Sequence, residues 1–151
     1  MTGPSNPRLD TVEAVVPRPA RFRLRVRYGE TDRMGVVYHA HYLVWCECGR
    51  TELMRQAGYP YTRLEEQGLA LAVSDASLRF HAPARYDDEI IVETAVRQVR
   101  SRTVEFDYLV LNAISGQKLV SASTTLICLG AGGGVVAIPA EVRSLLERQV
   151  R

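Results

Sequence analysis

The stretch His39-Ala40-His41-Tyr42-Leu43-Val44-Trp45-Cys46-Glu47-Cys48-Gly49-Arg50-Thr51-Glu52-Leu53-Met54-Arg55-Gln56-Ala57 decides the fold. Tyr42, Trp45, Cys46, Gly49, Leu53 and Ala57 recur at three- and four-residue steps, and Glu47, Arg50, Glu52 and Arg55 fill polar positions between them. That period predicts one long amphipathic helix. At 1.5 Å per residue it would run roughly 28 Å, enough to lie along a whole small sheet. Gly58 ends it, because glycine takes the left-handed cap conformation at little cost.

On either side the period falls to two. Arg21-Phe22-Arg23-Leu24-Arg25-Val26-Arg27-Tyr28 alternates strictly, which puts Phe22, Leu24, Val26 and Tyr28 on one face of a strand and the arginines on the other. Downstream, a short helical segment from about Tyr61 to Gln67 precedes four runs rich in Val, Ile, Thr, Phe and Tyr: Leu69 to Phe80, Glu89 to Arg97, Thr103 to Leu111 and Lys118 to Leu129. Ile90, Val92, Thr94 and Val96 share a face, as do Val104, Phe106, Tyr108 and Val110, so one apolar sheet face can pack on the helix. Asn112 to Gly116 and Gly130 to Gly134 read as turns, and Pro139 suits the start of a last helix to Gln149. One long helix against five antiparallel strands is an α+β layer architecture.

The chain has 151 residues, 46% of them apolar and 24% charged. That is an ordinary globular mixture, which excludes wholesale disorder, coiled coil and disulfide scaffold. At roughly 150 residues per domain, one domain is expected, over residues 21–151. Residues 1–20, with Pro4, Pro7, Pro17 and Pro19, predict a mobile or extended arm. The uncharged run Leu119 to Ala140 is broken by Ser121, Ser123, Thr124, Thr125 and by glycines 130 and 132 to 134, so no membrane span is expected. A net charge of +2, evenly spread, gives no reason to expect a nucleic-acid partner. Only Lys118 is a lysine; the other cations are arginines, the better fork for phosphate and carboxylate. Cys46, Cys48 and Cys128 are an odd number of thiols, which fits a reducing cytoplasm.

The densest run of polar and aromatic groups, Tyr28 to Tyr42, is a loop entering a helix. Loops held by rigid elements are where chemistry concentrates. Asp32 there has two readings: a turn former bonding its own backbone, or a carboxylate facing the unpaired N–H groups of a helix start, a hydrolytic arrangement. His39 and His41 stand two apart on the expected helix and point in different directions, so no metal site is predicted. Cys46 and Cys48 read as buried small residues. Gly132 to Gly134 lacks both the P-loop ending and the dinucleotide spacing and reads as a turn.

The run Tyr28-Gly29-Glu30-Thr31-Asp32-Arg33-Met34-Gly35-Val36-Val37-Tyr38-His39-Ala40-His41-Tyr42 resembles the signature of hotdog-fold acyl-CoA thioesterases. Its nearest likeness is to the 4-hydroxybenzoyl-CoA thioesterase and Tol-Pal-associated thioesterase branch. The resemblance extends through Glu47, Arg50, Thr51 and Glu52 and through Pro83 to Asp88, and covers roughly residues 21 to 145. It implies a long central helix wrapped by a curved five-stranded antiparallel sheet. It also implies hydrolysis of a short-chain or aromatic acyl-CoA to the free acid and CoA, without metal or other cofactor. By the same resemblance Asp32 is the catalytic carboxylate, the His39 backbone N–H polarises the thioester carbonyl, and the His39 side chain has a supporting role.

Around these, Gly35 would let the loop backbone approach the acyl group, and Tyr28, Val36, Tyr38 and Tyr42 would wall the pocket, with core packing the alternative for each. Arg97, Arg100 and Arg102, clustered at a strand turn, are candidates for the CoA phosphates. The resemblance implies a homodimer or homotetramer. Two other functions fit the same fold, an acyl-thioester dehydratase or hydratase and a non-catalytic acyl-CoA-binding module. The first needs its own His-centred acid and base, and the second needs no carboxylate at Asp32.

Overall fold

The computed structural model describes residues 17–151. Strand β1 (Ala20–Arg25) is followed by a 3-10 turn (Tyr28–Glu30) and by helices α1 (His41–Gln56) and α2 (Tyr61–Glu66). Strands β2 (Ala70–Phe80), β3 (Glu89–Val99), β4 (Thr103–Asn112) and β5 (Lys118–Leu129) come next, then helix α3 (Ala140–Glu147). The strands form one antiparallel sheet in the order β1-β3-β4-β5-β2. This is the expected α+β hotdog arrangement. Residues 1–16 of the expected arm lie outside the described residues, while Ala20, placed in the arm on sequence, opens β1 opposite Thr94.

Helix α1 buries Tyr42, Trp45, Cys46, Gly49, Leu53 and Met54. It packs on the face of β3 and β4 that carries Ile90, Val92, Thr94, Val96, Val104, Phe106, Tyr108 and Val110, all buried. Gly49 marks the closest approach. A Cβ there would run into Thr94 Oγ1 and lie 2.9 Å from Val92 Cγ1, so no larger residue fits without displacing β3.

On the outer face of β1 the alternating arginines meet acids of β3 and the loop before it. Arg21 pairs with Glu93 at 3.2 Å, Arg23 with Glu89 at 2.6 Å and Arg25 with Asp87 at 3.7 Å. Such exposed pairs add little stability, but they engage the charges that alternation left unexplained.

Several boundaries shift by one or two residues from the sequence expectation, and two of the shifts bear on the site. The helix begins at His41 rather than His39, because the His41 N–H closes a turn on the Tyr38 carbonyl. Strand β1 ends at Arg25, so Tyr28 leaves the apolar face and stands 77% exposed in the 3-10 turn. The alternation continued in sequence for one more apolar position, but the chain turns once Val26 has exchanged hydrogen bonds with Asp87 and Asp88.

Candidate active site

The segment between β1 and α1 folds as a tight hairpin. Thr31 and Val37 form an antiparallel bridge, the Asp32 N–H donates to the Val36 carbonyl at 2.9 Å, and the Gly35 N–H donates to the Asp32 carbonyl at 3.0 Å. Gly35 sits at φ +76°, in the left-handed region that favours glycine, which explains the residue at this corner. The Val37 N–H donates to the Ala84 carbonyl at 2.9 Å and anchors the returning arm.

Asp32, half-buried where the hairpin turns, makes the local turn of the first sequence reading. Its Oδ1 accepts the Met34 N–H at 2.8 Å, the local turn that aspartate favours. Oδ2 has no protein donor among the described residues, and Asp32 is one of the residues lining an open groove with Tyr28, Gly29, Arg33, Gly35 and Tyr86. Tyr28 and Tyr86 meet edge to face across it, ring centres 5.4 Å apart. Tyr86, 56% exposed, is a groove residue that sequence reading missed, because it lies more than fifty positions from Asp32.

The His39 N–H and the Ala40 N–H take no backbone acceptor among the described residues and lie just ahead of α1, where the helix dipole favours negative charge. The His39 ring rests against Tyr38, centres 4.4 Å apart, and makes no hydrogen bond to Asp32 within the chain. Tyr38 is exposed and Val36 half-buried, both on the returning arm. Tyr42 is placed otherwise. It is only 2% exposed, its hydroxyl accepts the Ala84 N–H at 3.1 Å, and its ring packs on Trp45, so it is a core residue here and not a pocket wall.

Glu30 was also missed. Its carboxylate accepts the Arg27 N–H at 2.8 Å on Oε1 and the Trp45 indole N–H at 2.7 Å on Oε2. Burial alone would push this carboxyl up, but those bonds and the Arg27 guanidinium outweigh it and hold it below the usual carboxylate value.

The three arginines stand apart from this loop. The hairpin adjoins the Glu89 end of β3, whereas Arg100 and Arg102 lie past Val99, roughly 33 Å away at about 3.3 Å per residue. Arg97 is already engaged by Asp107, with contacts of 2.8 and 3.0 Å. Within one chain these cations do not meet Asp32; the arginine that lines the same groove is Arg33. A separate cavity of about 100 Å³ lies between α1, α2 and the sheet, lined by Glu47, Arg50, Thr51, Met54 and Tyr61 among others.

Among the described residues no three His, Cys, Asp or Glu side chains gather as metal ligands, and no helix is long and apolar enough to cross a membrane. Burial pushes the Cys46 thiol up to about 12 and raises Cys48 and Cys128 as well, so none of them is primed as a nucleophile.

Residues 26–146 match the family model described as the thioesterase-like superfamily. The chain belongs to that superfamily. It is 38% identical over 126 residues to the acyl-CoA thioesterase YbgC of Haemophilus influenzae, covering 82% of this chain and 90% of that one. Over 109 residues it is 32% identical to the acyl-CoA thioester hydrolase YbgC of Escherichia coli, covering 72% of this chain and 81% of that one. The crystal structure of a hypothetical protein from Thermus thermophilus superposes with a TM-score of 0.82 at 34% identity, covering 86% of this chain and 98% of that chain. As a member of the superfamily this chain is a thioester hydrolase of the hotdog fold.

Proposed function

We propose that this thioesterase hydrolyses a short-chain or aromatic acyl-CoA to the free acid and CoA, with Asp32 as its catalytic carboxylate. The observation that carries the reading is the division of labour at Asp32. Met34 holds one carboxylate oxygen in place, the other has no protein donor among the described residues, and Asp32 itself lines an open groove. A carboxylate so fixed can take a proton from water or attack the thioester carbon itself. The His39 N–H, ahead of α1, receives the developing oxyanion, and the His39 side chain supports the loop from its tilted contact with the Tyr38 ring. A thioester is activated enough that these parts suffice without metal or redox cofactor. Tyr28 supplies an aromatic wall suited to a planar acyl group, with Gly35, Val36 and Tyr38 completing the loop surface.

A second copy completes the substrate site in this reading. Strand β2 presents an unpaired edge, a template for pairing with another chain. Arg97, Arg100 and Arg102 can reach a CoA bound at Asp32 only if a partner brings the β3–β4 turn to the groove, which favours a homodimer or homotetramer. The unpaired thiols fit a reducing cytoplasmic setting.

The test is thiol release from a panel of acyl-CoAs, with hydration of an enoyl-CoA followed in parallel. Release of CoA from short-chain or aromatic substrates without hydration supports the proposal. Hydration without hydrolysis would make the chain a hydratase, and tight binding with neither reaction would make it a binding module.

A further inference from the structure

Glu30 is a nearly buried carboxylate, 4% exposed, that proton transfer and oxyanion binding at this site do not require. Burying a carboxylate is unfavourable unless its oxygens are well served, and here both are. Oε2 takes the Trp45 indole N–H from α1, and Oε1 takes the Arg27 N–H from the end of the β1 segment. Its backbone is tied as well: the Glu30 carbonyl accepts the Tyr38 N–H at 2.9 Å, and its own N–H donates to Arg27 at 3.0 Å. Glu30 therefore joins three things at one point. They are the arm that reaches Asp32 two residues later, the arm that reaches His39 one residue after Tyr38, and the buried face of α1.

We propose that Glu30 is the positioning residue of the site, holding the Asp32 arm and the His39 arm of the hairpin in register against Trp45. It touches no substrate and acts through its neighbours. The inference rests on the proposed role of Asp32. If Glu30 were only a folding element, its loss would lower stability and leave the turnover of the folded fraction alone. If it sets the register, turnover falls in fully folded protein, because hydrolysis depends on placing the carboxylate and the N–H donor within a fraction of an ångström.

Glu30→Gln keeps the shape but replaces one acceptor oxygen with a donor that must face either Trp45 or Arg27. On an acyl-CoA that the wild type cleaves well, kcat is expected to fall about 10- to 100-fold, with KM unchanged to within about threefold. Trp45 is the single tryptophan, so its indole N–H gives one resonance, which should move upfield and exchange faster in the variant. In the wild type that resonance should stay constant from about pH 8 to about pH 5, because the Glu30 carboxyl titrates below the usual carboxylate value.

Trp45→Phe keeps a ring and deletes the donor. It should lower kcat in the same direction, and the double variant should be no slower than Glu30→Gln. A folded Glu30→Gln with kcat within about twofold of wild type, or one slowed with neither the Trp45 indole nor the Arg27 backbone amide resonance moved, overturns the proposal. Should Glu30→Gln fail to fold, unchanged kcat in Trp45→Phe overturns it instead. Asp32→Asn, assayed alongside, separates the two ideas. Retained activity there refutes the catalytic role of Asp32, whereas its loss together with a fully active Glu30→Gln refutes only the positioning role.

Discussion

Gly49 of α1 stands over Val92 of β3 so closely that a Cβ on the glycine would lie 2.9 Å from Val92 Cγ1. The contact fixes the height of the helix above the sheet, and with it the position of the hairpin that the helix receives from β1. Gly49→Ala gains helix propensity but overpacks a site with no room. Overpacking costs typically about 1–3 kcal/mol, so the variant should unfold at lower urea concentration than the wild type with an unchanged slope. Equal or greater stability would mean that α1 can lift off β3 freely.

The thiols offer a second check. With Cys46 pushed up to about 12 by burial, its thiolate fraction near pH 8 is on the order of 10⁻⁴, and Cys128 is buried as well. Ellman's reagent should modify Cys46 and Cys128 in native protein only on the timescale of unfolding, and all three cysteines at once in denaturant. Rapid native labelling of Cys46, located by peptide mapping, would contradict the packing described for α1.

For the arginines the outcome depends on assembly. Light scattering should give a particle of two or four chains. In that state, Arg100→Gln and Arg102→Gln should raise KM for an acyl-CoA and leave kcat nearly constant, since a remote phosphate contact serves ground and transition states alike. An acyl thioester of a short thiol without the nucleotide should be insensitive. Arg97, engaged by Asp107, should show the smallest effect of the three. An active monomer, or equal losses on both substrates, would remove these residues from the substrate site.

The sheet and the long helix were legible in the sequence because their information is local. Periods of two and of three to four are written in consecutive residues, and Gly58 and Pro139 mark ends. What was not legible depends on residues far apart in the chain. Glu30 looks like any loop acid until Trp45, fifteen positions on, turns out to donate to it. Tyr42 has the right residue type and position for a pocket wall, yet Ala84 takes its hydroxyl. Arg97 looks like an available cation until the β3–β4 register brings Asp107 to within reach. Tyr28 illustrates the reverse, a local alternation that outlasts the strand by one beat because the hydrogen bonds that end the strand come from residues 87 and 88. The Asp32 hairpin was legible as a motif, but only the fold shows that one carboxylate oxygen makes the turn while the other has no protein donor among the described residues.

The most direct test of the account is the turnover of Asp32→Asn. The substitution is nearly isosteric, and the amide oxygen can still accept the Met34 N–H that shapes the hairpin, so the fold, the assembly and acyl-CoA binding should persist. An amide, however, neither attacks a thioester efficiently nor takes a proton from water at neutral pH. General-base assistance is typically worth about 10²- to 10⁴-fold, so kcat on a good acyl-CoA should fall by at least about two orders of magnitude while the dissociation constant for a non-hydrolysable analogue stays nearly constant. A folded Asn variant that keeps more than about a tenth of wild-type kcat, on the same scale, would show that Asp32 only shapes the loop.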